Sequence, residues 1–224
     1  MNTEAESRLC YRSHGAALLT RLFAPEIVAA HAFQMSQQVA RTGTQMLAPP
    51  SLGNLPCYEA YGYAVPVLAT FLWGLTPHIE SLTGCELLPT YCYFRTYQHG
   101  DVCRVHSDRP ACEHSLSLTL AYADGIPWAL SVADRPLPAD AALRQTRHGE
   151  PDFGELGHVD LPMQPGDAVL YRGVDYAHGR ITPNPNRWSA HLFMHWVDRH
   201  GPFADRAFDR QPVGGDADFV FPPL

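Results

Sequence analysis

Two segments of strictly alternating side chains constrain this fold more than any other sequence feature. In HSLSLTLAY (114–122), serines and a threonine alternate with leucines. In RWSAHLFMHWV (187–197), arginine, serine and histidines alternate with an apolar set. Successive side chains of a strand point to opposite faces, so each segment predicts a strand with one apolar and one largely polar face. The polar face either meets water or lines a ligand-holding interior.

The pattern of apolar residues changes near residue 85, from helical spacing to strand-like segments. Before it, 24–40 and 65–84 carry apolar residues at helical spacing, with Pro25 suited to a first turn and Gly84 to a helix end. Pro77 is predicted to kink or interrupt the second helix. After it, short strands are predicted at 88–97, 114–122, 126–132, 157–163, 167–173 and 187–197. This pattern favours a mainly β barrel or sandwich, with the helices covering one sheet.

Composition narrows the class of protein. The net charge of −7 disfavours nucleic acid and anionic membrane as partners. No apolar run approaches the roughly 20 residues of a membrane span, and the first residues lack a signal-peptide layout. The six cysteines form no Cys-x-x-Cys pair, which favours reduced thiols in a cytoplasm.

We predict a single domain over 1–224. It comprises a mainly helical support region (1–85), a β core (86–200) and an irregular tail (201–224). A long loop at 133–155 contains Arg135, Arg144, Arg147 and His148. It is either a solvated loop or a lid over a site.

A His-x-Asp triplet occurs twice, at His106–Asp108 and at His158–Asp160, so the motif alone decides nothing. On an extended segment both side chains turn to one side. Two imidazoles and one carboxylate are the ligand set of oxygen-activating non-haem Fe(II) sites. The third ligand must come from a distant strand, and His178 is a candidate.

Three stretches, YQHGDVCRVHSD, MQPGDAVLYRG and AHGRITPNPNRWSAHLFMHWV, carry a resemblance to a known family. Together they resemble the 2-oxoglutarate-dependent Fe(II) oxygenases, especially the prolyl 4-hydroxylase branch. That pattern has a tyrosine, His-x-Asp, a Pro-Gly-Asp turn, a distal histidine and a basic residue some nine or ten positions later. Here Tyr97 precedes His106 by nine residues and Arg187 follows His178 by nine. The resemblance covers about 87–197 and implies a double-stranded β-helix (jelly-roll or cupin-like) barrel.

The resemblance also implies the site. Iron would be held by His106, Asp108 and His178. The far carboxylate of 2-oxoglutarate would be bound by Arg187, with Ser189 and Tyr97 assisting. The implied cofactors are Fe(II), 2-oxoglutarate as cosubstrate and O₂, with ascorbate as a stimulant. His158 and Asp160 are set aside as a surface pair, because they lie too close in sequence to His178.

The implied reaction is hydroxylation of an unactivated C–H bond, coupled to decarboxylation of 2-oxoglutarate to succinate. Asp108 favours hydroxylation, because halogenating family members lack this carboxylate. The substrate would be an amino acid, another small metabolite or a protein residue. Arg109 would contact an acidic substrate group or pair with Glu113. Two alternatives remain: a non-catalytic cupin-like binder of a metal or small ligand, and an interaction domain with structural histidines.

Overall fold

A computed structural model describes residues 3–138 and 149–210. The helices are α1 (Glu4–His14), α2 (Pro25–Thr42) and α3 (Pro66–Thr83). The strands are β1 (Ala16–Leu19), β2 (Leu47–Ala48), β3 (Cys57–Tyr61), β4 (Leu87–Gln98), β5 (Cys103–His106), β6 (His114–Tyr122), β7 (Leu130–Ala133), β8 (His158–Leu161), β9 (Ala168–Tyr171), β10 (His178–Arg180) and β11 (Trp188–Asp198). Short 3₁₀ segments lie at Gly43–Met46, Pro110–Cys112 and Ala204–Arg210.

The strands form two antiparallel sheets. The major sheet has the order β1-β9-β6-β11-β4-β3-β2 and the minor sheet the order β5-β10-β7-β8. Helix α3 packs against β4 and α2 against β6, so the helices cover the major sheet. The predicted fold class, a double-stranded β-helix with helices on one sheet, is confirmed.

The proline and the glycine that were predicted at helix ends are found there. Pro25 is the first residue of α2, where a missing N–H costs nothing. Gly84 ends α3 in the left-handed conformation, with φ of 77°. Helix α3 runs through Pro77 without interruption. Its buried face explains this continuity, because packing of Leu72, Ile79 and Leu82 against the sheet outweighs the lost hydrogen bond.

Strand β11 divides the interior as its alternation predicts. Leu192, Met194 and Trp196 are fully buried in the aliphatic core between the major sheet and the helices. Ser189 and His191 are equally buried but lie on the other face, toward the minor sheet. The polar face therefore lines the interior of the β-helix instead of meeting water.

Some boundaries differ from the sequence expectation. The first 85 residues also supply β1, β2 and β3, and β7 begins only at Leu130. Of the proposed lid loop, Arg144, Arg147 and His148 lie outside the described residues, as does the tail beyond residue 210. None of the described helices has the length and apolar content that a membrane crossing requires.

A buried pair anchors α1 to the sheet and should make folding acid-sensitive. The Tyr11 hydroxyl lies 2.5 Å from Nδ1 of His114. Burial lowers the pKa of His114 to about 4. As the pH falls, His114 is protonated in the unfolded chain before it is protonated in the folded protein. The free energy of unfolding therefore falls as the pH drops from about 6.5 toward 4. Lowering the pKa of His114 from 6.5 to about 4 corresponds to about 3 kcal/mol.

Urea unfolding at pH 7.5 and pH 4.5 measures this loss. His114→Asn should be less stable at pH 7.5 and should lose less stability on acidification than the wild type. His78→Asn, at an exposed position on α3, should keep the wild-type pH dependence. Equal pH dependence in His114→Asn and the wild type would contradict the assignment.

Candidate active site

Strand register brings two of the predicted ligands side by side. β10 pairs with β5 so that His178 lies directly opposite His106. Directly paired residues of antiparallel strands project to the same face, and the two imidazole centroids are 4.4 Å apart. Asp108 follows β5, and its backbone N–H donates to the Gly173 carbonyl at 2.8 Å. This bond fixes the chain where its carboxylate meets both rings.

The three side chains present their ligand atoms to one point. Oδ1 of Asp108 lies 3.6 Å from Nε2 of His106 and 3.5 Å from Nε2 of His178. All three ligand atoms lie within 4.8 Å of one another. Metal–ligand bonds of roughly 2.0–2.2 Å to nitrogen and oxygen fit such spacing. The donor set of two imidazoles and one carboxylate matches a facial Fe(II) site with open positions.

Backbone carbonyls set the tautomer of both histidines. Nδ1 of His106 lies 2.8 Å from the Arg104 carbonyl, and Nδ1 of His178 lies 3.0 Å from the Tyr176 carbonyl. A carbonyl can only accept, so each Nδ1 carries the hydrogen. Each neutral Nε2 then offers its lone pair to a metal.

The electrostatics keep the carboxylate ionised. Burial raises the pKa of Asp108, but His178 and His106 outweigh it and hold that pKa well below its usual range. Burial lowers the pKa of His178, but the Asp108 carboxylate outweighs this effect and raises that pKa. The site therefore holds a charged oxygen ligand at neutral pH.

The second oxygen of Asp108 is held by its own partners. The Ser115 hydroxyl lies 3.0 Å from Oδ2, and Nδ1 of His195 lies 2.9 Å from the same hydroxyl. A Cβ on Gly173 would collide with Oδ2 and come within 2.7 Å of Oγ of Ser115. These contacts leave Oδ1 free for a metal, and they give His195 a structural hydrogen bond.

Gly173→Ala tests this arrangement. The added methyl group should push the carboxylate out of position and weaken Fe(II) or Mn(II) binding about 10- to 100-fold, as loss of an outer-shell partner does. Isothermal titration with Mn(II) measures the effect. Gly74→Ala, where an added Cβ meets nothing within 4 Å, should leave the affinity unchanged. Wild-type affinity in folded Gly173→Ala would show that the carboxylate is not held in this way.

Tyr97 and Ser189 lie inside the β-helix. Tyr97 is buried and packs edge-on against Trp128, with centroids 5.1 Å apart. Ser189 is fully buried, with its hydroxyl 3.1 Å from Nε2 of His191. The structure thus places both side chains in the interior of the β-helix.

Arg187 lies elsewhere, and its predicted position behind the metal is wrong. Its side chain is 75% exposed and pairs with Asp124, Nε to Oδ1, at 2.9 Å. Its backbone N–H also donates to Asp124, which fixes it outside the sheet before β11 begins at Trp188. It lines a cavity of about 740 Å³ between α2 and the outer face of the major sheet, away from the metal ligands.

A different arginine occupies the interior. Arg180 is 1% exposed and lies two residues after His178 on β10. Its guanidinium donates to the Trp128 carbonyl at 2.6 Å and to the Ser117 hydroxyl at 3.3 Å. No carboxylate of the described residues lies within 4.0 Å of it.

An unpaired buried cation is costly, so this position favours an anionic ligand. His191 stays neutral beside it, because burial and the guanidinium hold the pKa of His191 well below its usual range. The signal for Arg180 was present in the sequence: residues i and i+2 of a strand share a face, and His178-Gly-Arg180 satisfies that rule.

The second His-x-Asp triplet and Arg109 are not part of the group of candidate ligands. His158 and Asp160 are exposed on β8, at the edge of the minor sheet. Arg109 pairs with Asp209 at 2.7 Å, whereas Glu113, its predicted partner, accepts from the backbone N–H of Asp198.

No model of a known protein family matches this chain, and no curated protein matches it at a significant level. Solved structures do match over nearly its whole length. The α-ketoglutarate-dependent carbocyclase SnoK from nogalamycin biosynthesis has a TM-score of 0.72 at 14% identity, covering 96% of this chain and 95% of SnoK. The prolyl-4-hydroxylase of Pseudomonas putida has a TM-score of 0.55 at 15% identity, covering 86% and 98%.

HygX from Streptomyces hygroscopicus, with nickel and 2-oxoglutarate bound, has a TM-score of 0.60 at 12% identity and covers 89% of each chain. The chain has the fold of the 2-oxoglutarate-dependent Fe(II) oxygenases. The resemblance predicted from its sequence motifs is confirmed at the level of the fold, and a prolyl hydroxylase is among the similar structures.

Proposed function

We propose that this protein is a 2-oxoglutarate-dependent Fe(II) oxygenase that hydroxylates a C–H bond of a small molecule. The observation that carries the proposal is the pairing of one metal triad with one buried, unpaired guanidinium. His178 of the triad and Arg180 share the inner face of β10. A short dicarboxylate can therefore reach the metal with one end and the arginine with the other.

His106, Asp108 and His178 would hold the iron. Bound iron with 2-oxoglutarate and O₂ supplies the oxidising chemistry, in which the cosubstrate is decarboxylated to succinate. The protein's own residues bind and orient. We assign the far carboxylate of 2-oxoglutarate to Arg180 instead of Arg187, because a guanidinium forms two parallel bonds to a carboxylate.

Neighbouring groups support the same pocket. Ser117 and neutral His191 surround the Arg180 guanidinium, and Tyr97 and Ser189 lie beside His191. Tyr171 packs on the His178 ring at 4.5 Å and shields it from water. A HygX structure contains hygromycin B, which favours a small-molecule substrate here as well.

Succinate formation tests the proposal. Protein loaded with Fe(II) and ascorbate should convert 2-oxoglutarate to succinate slowly by itself and faster with its substrate. A screen of small molecules for a mass gain of one oxygen would identify the product. Metal and 2-oxoglutarate binding without succinate would favour the cupin-like binder, and absence of stoichiometric metal would favour the interaction domain.

A further inference from the structure

A row of tyrosines crosses the inner face of the major sheet. Tyr61 on β3 pairs with Tyr93 on β4, which pairs with Phe193 on β11. Their rings stack at 5.4 Å and 4.8 Å. Tyr63 extends the stack outward at 5.2 Å from Tyr61. Tyr91 stacks beside Tyr93 at 6.0 Å, with ring planes 10° apart. We call Tyr61, Tyr63, Tyr91 and Tyr93 the tyrosine row.

The row reaches the neighbourhood of the metal ligands. Tyr91 packs on His195 with centroids 4.5 Å apart, and His195 holds the serine that binds Asp108. The Tyr91 hydroxyl is 3.2 Å from Sγ of Cys112. Ligand atoms of Asp108, Cys112 and His195 lie within 4.8 Å of one another. A molecule lying along the row would therefore lie beside the reacting centre.

The row differs from the core in composition and exposure. Among the described residues, Tyr61, Tyr63 and Tyr91 belong to none of the buried hydrophobic clusters. Tyr61, Tyr91 and Tyr93 are half-buried, whereas Tyr63 is 63% exposed. Tyr93 also packs against the cluster of Tyr97, Tyr122, Trp128 and Phe193. Partly covered tyrosine rings are typical of binding surfaces, because the ring is apolar and the hydroxyl can form hydrogen bonds.

A cation borders the row. The Arg109 guanidinium lies 4.3 Å from the Tyr91 ring centroid. Nη1 donates to Asp209, and the arginine side chain is 35% exposed. A guanidinium has five N–H donors, so further donors remain for an acidic or phenolic oxygen. Stacked rings next to a cation complement a flat ligand that carries such an oxygen.

We propose that the tyrosine row is the substrate-binding wall and that the substrate is a planar aromatic molecule with an anionic or phenolic oxygen. This inference rests on the proposed function, because it names the substrate class of that same site. Near-parallel rings select planar unsaturated ligands over puckered ones, since a flat ligand gains contact with several of them at once. Arg109 would orient the ligand through its oxygen.

The test uses two bicyclic acids of equal charge. Naphthalene-2-carboxylate is planar, whereas decahydronaphthalene-2-carboxylate is puckered. Each is titrated by calorimetry into Mn(II)-loaded protein with saturating 2-oxoglutarate, so that Arg180 is occupied. The planar acid should bind about tenfold more tightly, and Mn(II) should broaden its proton resonances.

Variants locate the binding. Tyr93→Leu and Tyr61→Leu should each weaken naphthalene-2-carboxylate binding about tenfold. Tyr58→Leu is the matched control, because Tyr58 lies on the opposite face of β3 and lines the outer cavity. It should leave the affinity unchanged. Normal 2-oxoglutarate binding by each variant, measured without the bicyclic acid, shows that the fold is intact.

The outcomes separate the two proposals. Equal affinity for the two acids, no binding of either, or a loss confined to Tyr58→Leu would overturn the substrate class while leaving normal 2-oxoglutarate binding to support the enzyme. Failure of wild-type protein to bind metal and 2-oxoglutarate would overturn the proposed function itself.

Discussion

Asp108→Ala is expected to abolish metal binding, with the affinity for Fe(II) or Mn(II) falling at least about 100-fold. Loss of an outer-shell partner alone costs roughly 10- to 100-fold, and Asp108 supplies the only carboxylate of the triad. The variant leaves two imidazoles without a charged partner. Anaerobic titration with metal, followed by calorimetry or by metal content after gel filtration, measures the loss.

Asp160→Ala is the matched control for Asp108→Ala. It removes the aspartate of the other His-x-Asp triplet, which is exposed on β8. Its metal affinity should equal that of the wild type. Retention of stoichiometric, tight metal by Asp108→Ala, or equal losses in the two variants, would show that the triad of His106, Asp108 and His178 is not the metal site.

Arg180→Gln is expected to lose 2-oxoglutarate binding while keeping metal binding. Removing one partner of a buried, hydrogen-bonded charge pair costs about 2–5 kcal/mol, or roughly 30-fold to several thousandfold in affinity. Arg180 is buried two residues beyond His178, so the loss should fall in this range. Calorimetric titration of Mn(II)-loaded protein with 2-oxoglutarate gives the dissociation constant.

Arg187→Ala is the control for loss of a positive charge. It also tests the sequence-based assignment of Arg187 to the far carboxylate of 2-oxoglutarate. Its side chain is exposed and paired with Asp124, so 2-oxoglutarate affinity should change less than about twofold, the scale of a surface ion pair. Loss of affinity in Arg187→Ala with wild-type affinity in Arg180→Gln would restore the original assignment. Unchanged Mn(II) binding in Arg180→Gln excludes general unfolding.

Sequence patterns predicted the parts of this fold that depend on local rules. Alternation at 114–122 and 187–197 predicted β6 and β11 and the two faces of β11, because strand period and burial act residue by residue. Helical spacing with Pro25 and Gly84 predicted α2 and α3. The short strands β1, β2, β3, β5 and β10 were missed, since each is defined by its pairing with another strand and not by a pattern within its own residues.

The candidate site also has a part that was predicted from the sequence and a part that was not. The His-x-Asp motif occurs twice and decided nothing by itself. The resemblance to a known family led to His106, Asp108 and His178 as candidate ligands, and the structure brings their ligand atoms together. Spacing alone predicted that Arg187 lies in the interior. A fixed offset of nine residues from His178 assumes that Arg187 belongs to the inner face of β11. Here Asp124 holds Arg187 outside the sheet.

The sequence by itself determined the polar inner face of β6 and β11, because this face follows from residue type and a two-residue period. The resemblance to a known family supplied His106, Asp108 and His178 as candidate metal ligands. Only the tertiary structure decided that Arg180, and not Arg187, lies in the interior near the candidate metal site, and which aromatic rings lie beside that site. The register of β10 against β5 and of β3 against β4 places Arg180 and the tyrosine row there. Register depends on pairings between residues far apart in the chain, and no local pattern encodes them.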